Sequence, residues 1–154
     1  MAKEILKNPV ITIDGTDLTT RINQVELDRS DDEVDVSTFG SEYKQTEQGL
    51  KDATVSLTGF GDFAAASVDA VLWPLSEESK KFIVKVQVRK GEITATNPCY
   101  VMGGKLFNYK PLSGSVGEAT TIDPTIKNQT PLGIKKAKSA AEVTTFENEI
   151  KALF

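Results

Sequence analysis

The chain has 154 residues, a formal net charge of −4 and 39% hydrophobic residues, which is typical of one globular domain built around a single core. It contains one cysteine and no histidine. An internal disulfide, a cysteine-clustered zinc site and every Ser–His or Cys–His nucleophile are therefore excluded. No apolar run approaches the roughly 20 residues of a membrane-spanning helix, and residues 1–7 lack the apolar stretch of a signal peptide. These features predict a protein made in the cytosol that is not an enzyme and needs no cofactor.

The charge is unevenly distributed along the chain. Residues 1–77 carry 6 basic and 15 acidic side chains, a net charge of −9, whereas residues 78–154 carry 12 basic and 7 acidic side chains, a net charge of +5. A molecule with surfaces of opposite sign can stack head to tail, acidic surface against basic surface. The alternative is that both charged surfaces are simply solvated.

Alternation of apolar and polar residues dominates the sequence and predicts a mainly β protein. The first strand, at Val10–Ile13, leads into Asp14-Gly15, a dipeptide typical of a tight hairpin turn. The segment Phe82–Arg89 alternates most strictly, with apolar residues on one face and polar residues on the other. Shorter runs around Val25, Val34 and Val55 follow the same pattern. Later strands are predicted at Cys99–Met102, Leu106–Tyr109, Ala119–Ile122 and Thr125–Lys127.

A first helix is predicted at Phe63–Leu72. Asp62 precedes it as a helix cap, and Pro74 is expected to end the run because proline cannot continue the helical hydrogen bonds. Its apolar residues recur at helical spacing. This helix is expected to flank the sheets.

A second helix is predicted in residues 139–154, which form a C-terminal extension to a β domain of residues 1–138. Ser139 and Glu142 have the spacing of a capping box. A helix of this length is marginal in water by itself, so its apolar stripe must be buried, either against its own sheet or against a neighbouring subunit. The candidates for subunit docking are Phe146, Ile150 and Leu153.

Two polar stretches, residues 29–50 and 110–118, are predicted as long loops, and loops of this length in a small domain are usually functional or disordered. The first contains the acidic residues Asp31, Asp32, Glu33 and Asp35. These residues do not have the ligand spacing of an EF-hand, so a solvated or interface loop is favoured over a calcium site.

No other motif indicates a catalytic, metal or binding site. Met102-Gly103-Gly104-Lys105 lacks the second half of a phosphate-binding loop and is predicted to be a hairpin turn. Cys99 lies in an apolar strand and is predicted to be a small core residue. The sequon at Asn128–Thr130 is attributed to chance, and the lysines near residue 136 to a solvated segment, because nucleic-acid binding requires more charge and interleaved aromatic residues.

Three segments follow one another in a distinctive order over roughly residues 9–135. The first segment is Val10–Thr19. The second is Asp35–Gly40, followed by Gly49-Leu50 and the strand Ala53–Thr58. The third segment runs from Asn97–Tyr100 through Gly114–Glu118 to Leu132-Gly133. Their order and spacing resemble the major tail protein of long-tailed, non-contractile bacteriophages.

The resemblance implies two packed antiparallel sheets with a flanking helix, and subunits that form rings, usually hexameric, which stack into a hollow tail tube. The loop at residues 29–50 would then reach the next ring. Its implied contact residues are Asp31, Asp32, Glu33, Asp35, Phe39, Gly40 and Gly49. The protein would reside in the virion tail, with tail tip, tape measure and tail terminator proteins as partners.

Physical chemistry is consistent with a tube that conducts DNA. Lysine and arginine contacts with phosphate dominate nucleic-acid affinity, so a net-acidic subunit would let double-stranded DNA pass through the lumen without specific binding. No membrane or small-molecule substrate is expected. The alternatives are a tube protein of a contractile tail or of a type VI-like secretion system, and a monomeric β-sandwich binding module.

Overall fold

The structure is a computed structural model that describes residues 8–40, 42–64 and 67–154. Residues 1–7, which were predicted to carry no signal peptide, and residues 65–66 of the predicted first helix lie outside the described residues. The β-strands are β1 (Val10–Ile13), β2 (Thr16–Asp17), β3 (Ile22–Asp35), β4 (Thr46–Phe60), β5 (Phe82–Gln87), β6 (Cys99–Phe107), β7 (Thr121–Ile122), β8 (Thr125–Asn128) and β9 (Lys135–Ala137). The helices are α1 (Val68–Glu77) and α2 (Ala140–Ala152), with one 3₁₀ turn at Thr19–Arg21.

The strands form one antiparallel sheet in the order β2-β1-β5-β6-β8-β4-β3, with β7 paired to β4 and β9 paired to β6. Strand β6 links the two halves of the sheet, because its first residues pair with β5 and β9 while its last residues pair with β8. The predicted mainly β class with two helices is confirmed. The two expected layers arise within a single curled sheet.

The predicted turn between the first two strands is confirmed. Asp14 and Gly15 have φ values of 50° and 82°, and Ile13 pairs with Thr16 across them. Two successive residues with positive φ define the tight hairpin turn whose twist matches the flanking strands.

Two hydrophobic cores lie on opposite faces of the sheet. The first core packs α1 against the sheet, and the second packs α2 against β5, β6 and β9. Strand β5 shows the division, since Val84 faces the first core while Ile83 faces the second. The polar face predicted for this strand is therefore covered as well: Lys85 forms an ion pair of 2.8 Å with Glu147 of α2.

Helix α1 begins and ends later than predicted. Asp62 does not cap it; the Asp62 carboxylate accepts a hydrogen bond of 3.0 Å from the Ala64 N–H in the turn before the helix. Pro74 lies inside the helix, and its carbonyl oxygen still accepts from the Glu78 N–H at 3.0 Å. The prediction that Pro74 ends the helix was wrong because the next residue, Leu75, is buried in the first core and holds the last turn in place.

The predicted hairpin turn at Met102–Lys105 was also wrong, because these residues lie inside the continuous strand β6. Gly103 lies beneath α2: a Cβ atom added to it would come within 2.4 Å of Ile150 Cγ2. A Cβ atom on Gly104 would come within 2.5 Å of the Lys127 carbonyl oxygen. The paired glycines therefore mark close approach of other chain segments, a common reason for glycine within a strand.

The polar stretch 29–50, predicted as a loop, is mostly a β-hairpin. Strands β3 and β4 remain paired as far as Asp35 and Thr46, and residues 36–45 connect them. The prediction failed because both faces of this hairpin are solvated, so apolar alternation is limited to the short run around Val34. The second predicted loop, residues 110–118, contains no strand or helix, which confirms that prediction.

Candidate functional site

The outer part of the β3–β4 hairpin, residues 30–52, is here called the arm. All its described residues are exposed, apart from the half-buried Gly49. Exposed positions include large apolar or aromatic residues: Tyr43 and Leu50 are each 82% exposed, and Phe39 is fully exposed. A large apolar side chain that packs against nothing in its own chain indicates a surface for a partner when several occur together.

The arm has an acidic face and a mixed face. Asp31, Glu33 and Asp35 alternate along β3 and pair with residues of β4 across the hairpin, so their side chains share one face at intervals of about 6.7 Å. Val34 and Val36 point to the opposite face, together with Asp32. The structure therefore separates Asp32 from the other three predicted acidic residues.

Gly49 forms a β-bulge in the arm. The register runs from Asp31 opposite Lys51 to Glu33 opposite Gln48, so Gly49 and Leu50 together oppose the single residue Asp32. A Cβ atom on Gly49 would come within 2.9 Å of Val34 Cγ2. Gly49 thus shapes the arm, and the exposed apolar residue at the bulge is its neighbour Leu50.

Hydrogen bonds order the connection at the tip of the arm. The Asp35 carboxylate accepts from the Ser37 N–H at 2.9 Å, and the Ser37 hydroxyl oxygen accepts from the Gln45 N–H at 2.8 Å. The bond from the Ser37 N–H lowers the pKa of Asp35, because it stabilises the charged form. Gly40, with φ of 95°, supplies the left-handed residue of the turn beside Phe39.

The arm carboxylates are not neutralised by the ion pairs that the described residues form. Those ion pairs join Arg21 to Asp62 at 2.7 Å and Lys85 to Glu147 at 2.8 Å, and both lie outside the arm. Within the arm, Asp31 accepts a hydrogen bond of 2.8 Å from the Gln48 side chain. The acidic face is therefore available to a partner of positive charge.

Helix α2 packs on the chain's own sheet. Ser139 caps it by accepting from the Glu142 N–H at 3.3 Å, while the Glu142 carboxylate accepts from the Lys138 N–H at 2.8 Å. Of the three residues predicted as docking candidates, Ile150 is fully buried in the second core and is not available to a neighbour. Phe146 is half-buried against that core, and Leu153 is 44% exposed.

A cavity of about 280 Å³ lies between α2, the β1–β2 turn and the start of β5. It is here called the lysine cavity, because Lys80, Lys81, Lys85 and Lys151 line it. The other charged residues in its wall are Asp14 and Glu147, and the aromatic ones are Phe82 and Phe154. The sequence analysis missed this site because its lysines come from separate segments that only the fold brings together.

The described residues provide no evident catalytic centre. Within residues 8–40, 42–64 and 67–154 no three His, Cys, Asp or Glu side chains are grouped to hold a metal ion. Burial raises the pKa of the Cys99 thiol to about 11, which keeps it protonated and unreactive. Burial also raises the pKa of Tyr109, whose hydroxyl donates to Asp69 at 2.9 Å. No helix in the described part of the chain is long and apolar enough to cross a membrane.

No protein-family model and no curated protein matches this sequence. Several solved structures match the fold. A chain in the virion of a native gene transfer agent particle has a TM-score of 0.64 at 14% identity, covering 86% of this chain and 96% of that one. The tail tube of SPP1 has a TM-score of 0.64 at 13% identity, covering 86% and 76%. The sheath–tube complex of the extracellular contractile injection system PVC gives 0.54 at 10% identity, covering 85% and 88%.

The chain therefore has the tail tube fold, as the sequence resemblance predicted. The matching structures include the tail of a gene transfer agent, the SPP1 tail tube and a contractile injection system. At 14% identity or less, these likenesses show the fold alone.

Proposed function

We propose that this chain is the tail tube subunit of a long-tailed bacteriophage. It is a structural virion protein that assembles into rings, and the rings stack into a hollow tube through which double-stranded DNA passes. The observation that carries the proposal is the match to the SPP1 tail tube and to a gene transfer agent virion, each with a TM-score of 0.64 over 86% of the chain.

The surface of the subunit supports assembly with copies of itself. Strand β3 forms one border of the sheet over 14 residues, and a long unpaired edge strand is prone to uncontrolled pairing. Closed rings cover such edges. The exposed Phe39, Tyr43 and Leu50 of the arm would likewise be covered by neighbouring subunits.

Six subunits per ring is the proposed stoichiometry. The gene transfer agent tail that resembles this chain was refined with C6 symmetry. A net charge of −4 per subunit fits a lumen that does not hold DNA, because phosphate binding requires an excess of lysine and arginine. The tail tip, tape measure and tail terminator proteins are the expected partners in the virion.

A non-contractile tail is favoured over a contractile one. The similarity to the SPP1 tail tube, at a TM-score of 0.64, exceeds the similarity to the contractile injection system, at 0.54. The motif around Phe39 in the arm also resembles the tail proteins of non-contractile phages. A contractile tube is the second candidate, since the fold occurs in both kinds of complex.

Size-exclusion chromatography followed by negative-stain electron microscopy tests the proposal. On concentration, or after addition of a tail-tip initiator complex, the protein is expected to form ring-sized species and uniform hollow tubes. If it remains monomeric with the initiator present at several salt concentrations, the tube function is wrong, and a monomeric binding module becomes the better interpretation.

A further inference from the structure

We infer that the lysine cavity is the receptor for the acidic face of the arm from a second copy of this chain. The inference rests on the proposed tube function, and it names both sides of one contact between subunits. The donor side is Asp31, Glu33 and Asp35 on the arm. The receptor side is Lys80, Lys81 and Lys151 around the cavity.

The cavity has cationic charge that its own chain does not neutralise. Lys85 is paired with Glu147 at 2.8 Å, which accounts for one lysine and one of the two carboxylates in the wall. The two ion pairs found among the described residues are Arg21–Asp62 and Lys85–Glu147, and neither involves Lys80, Lys81 or Lys151. With four lysines against Asp14 and Glu147, the lining as a whole has a net charge of +2, and like charges this close repel one another. The cavity therefore favours an acidic occupant.

The arm matches the cavity in charge. Its three carboxylates are spaced at about 6.7 Å along one face, and Lys80, Lys81 and Lys151 supply an equal number of opposite charges around the cavity. None of the residues that line the cavity belongs to the arm, so the contact joins different copies and generates the head-to-tail order of stacked subunits.

This contact gives the C-terminal helix a part in assembly. Glu147, Lys151 and Phe154 supply one wall of the cavity. The apolar stripe of the helix is nevertheless buried against the sheet of its own chain, around Ile150. Helix α2 thus acts as a fixed wall of the receptor. Its docking onto a neighbour through Ile150 is not required.

Charge exchange between arm and cavity tests the inference. One variant carries Asp31→Lys, Glu33→Lys and Asp35→Lys; a second carries Lys80→Glu, Lys81→Glu and Lys151→Glu; a third carries all six changes. Lys85 stays unchanged because it holds Glu147. The matched control reverses three lysines of the other basic segment, Lys135, Lys136 and Lys138, which do not line the cavity.

Each three-residue variant is expected to raise the protein concentration needed for tube formation roughly tenfold or more, since three ion pairs of modest strength are replaced by repulsion. The six-residue variant is expected to restore assembly, and the control to assemble like the wild type. Failure of the six-residue variant to recover, or normal assembly of the cavity variant, would overturn the inference while leaving the tube function intact.

A cross-linking measurement tests the contact between the arm and the lysine cavity without requiring tubes. Copies carrying Glu33→Cys and copies carrying Lys81→Cys are mixed under mild oxidation. They are expected to form mixed disulfide dimers several-fold faster than Glu33→Cys mixed with Lys136→Cys. Equal rates for the two mixtures would show that the arm does not enter the cavity. Absence of tubes from the wild-type protein would instead contradict the proposed function.

Discussion

Strands β3 and β4 run through both the arm and the rest of the domain, here called the body, but their side chains have different surroundings in the two regions. In the body, β4 buries Val55 and Leu57 completely, and helices cover the sheet on both faces. In the arm, β3 and β4 continue as a ribbon held by backbone pairing, with its side chains in solvent. Burial therefore stabilises the body, whereas the arm contributes exposed surface, which the proposed function assigns to contact with neighbouring subunits. Substitutions in the two regions should therefore separate folding from assembly.

The largest loss of stability is expected from Ile150→Ala in the second core. Ile150 is fully buried between α2 and β6, so the substitution should lower the free energy of unfolding by about 2–5 kcal/mol. Urea unfolding of the purified subunit measures the change. Leu153→Ala, at a position 44% exposed, is the control and should cost far less. Equal effects at the two positions would show that α2 is not packed as described.

Gly103→Ala should have the next largest effect. The new Cβ atom would lie 2.4 Å from Ile150 Cγ2, so α2 must shift, at a cost of about 1–3 kcal/mol. In an Ile150→Leu background, which lacks that methyl group, the same substitution should cost less, and a double-mutant cycle measures the coupling. Additive effects would indicate that Gly103 does not support α2 directly.

Tyr109→Phe should have a moderate effect. It removes the hydrogen bond of 2.9 Å from the Tyr109 hydroxyl to Asp69 of α1, which should cost about 0.5–1.5 kcal/mol. Tyr43→Phe on the exposed arm is the matched control and should leave the unfolding transition unchanged. Thermal or urea unfolding measures the change. If the curve for Tyr109→Phe coincides with that of the wild type, this hydrogen bond does not stabilise α1.

The smallest effect on folding is expected in the arm, where the effect on assembly should be greatest. Reversing the charges of Asp31, Asp32, Glu33 and Asp35 should change the free energy of unfolding by no more than about 0.5 kcal/mol per substitution, because exposed substitutions rarely do more. Tube formation should nevertheless weaken, and wild-type tubes should themselves weaken with added salt. Tubes of unchanged length in the charge-reversed protein would show that these residues lie outside the interface.

The sequence was sufficient to predict the elements whose partners are local. The β1–β2 turn required only Asp14-Gly15, and the start of α2 required only the pattern from Ser139 to Glu142. Where distant packing decides the structure, the prediction failed. Pro74 remains helical because Leu75 is buried, and Gly103 lies in a strand because α2 crosses it.

The candidate site was predictable in part for the same reason. The acidic residues of the arm are clustered in sequence, so they were noticed, but only the short alternating run around Val34 signals the strand pairing that divides them between two faces. The lysine cavity depends on Lys80 and Lys81 meeting Lys151 in the folded chain. A contact between segments about 70 residues apart leaves no local sequence pattern.

Cryo-electron microscopy of the concentrated protein, with a tail-tip initiator if one is needed, tests the tube function most directly. The expected image is a hollow tube of stacked rings, in which the arm of each subunit contacts a subunit of the adjacent ring. A protein that remains monomeric, or that forms only irregular aggregates, would contradict the assignment as a tail tube subunit.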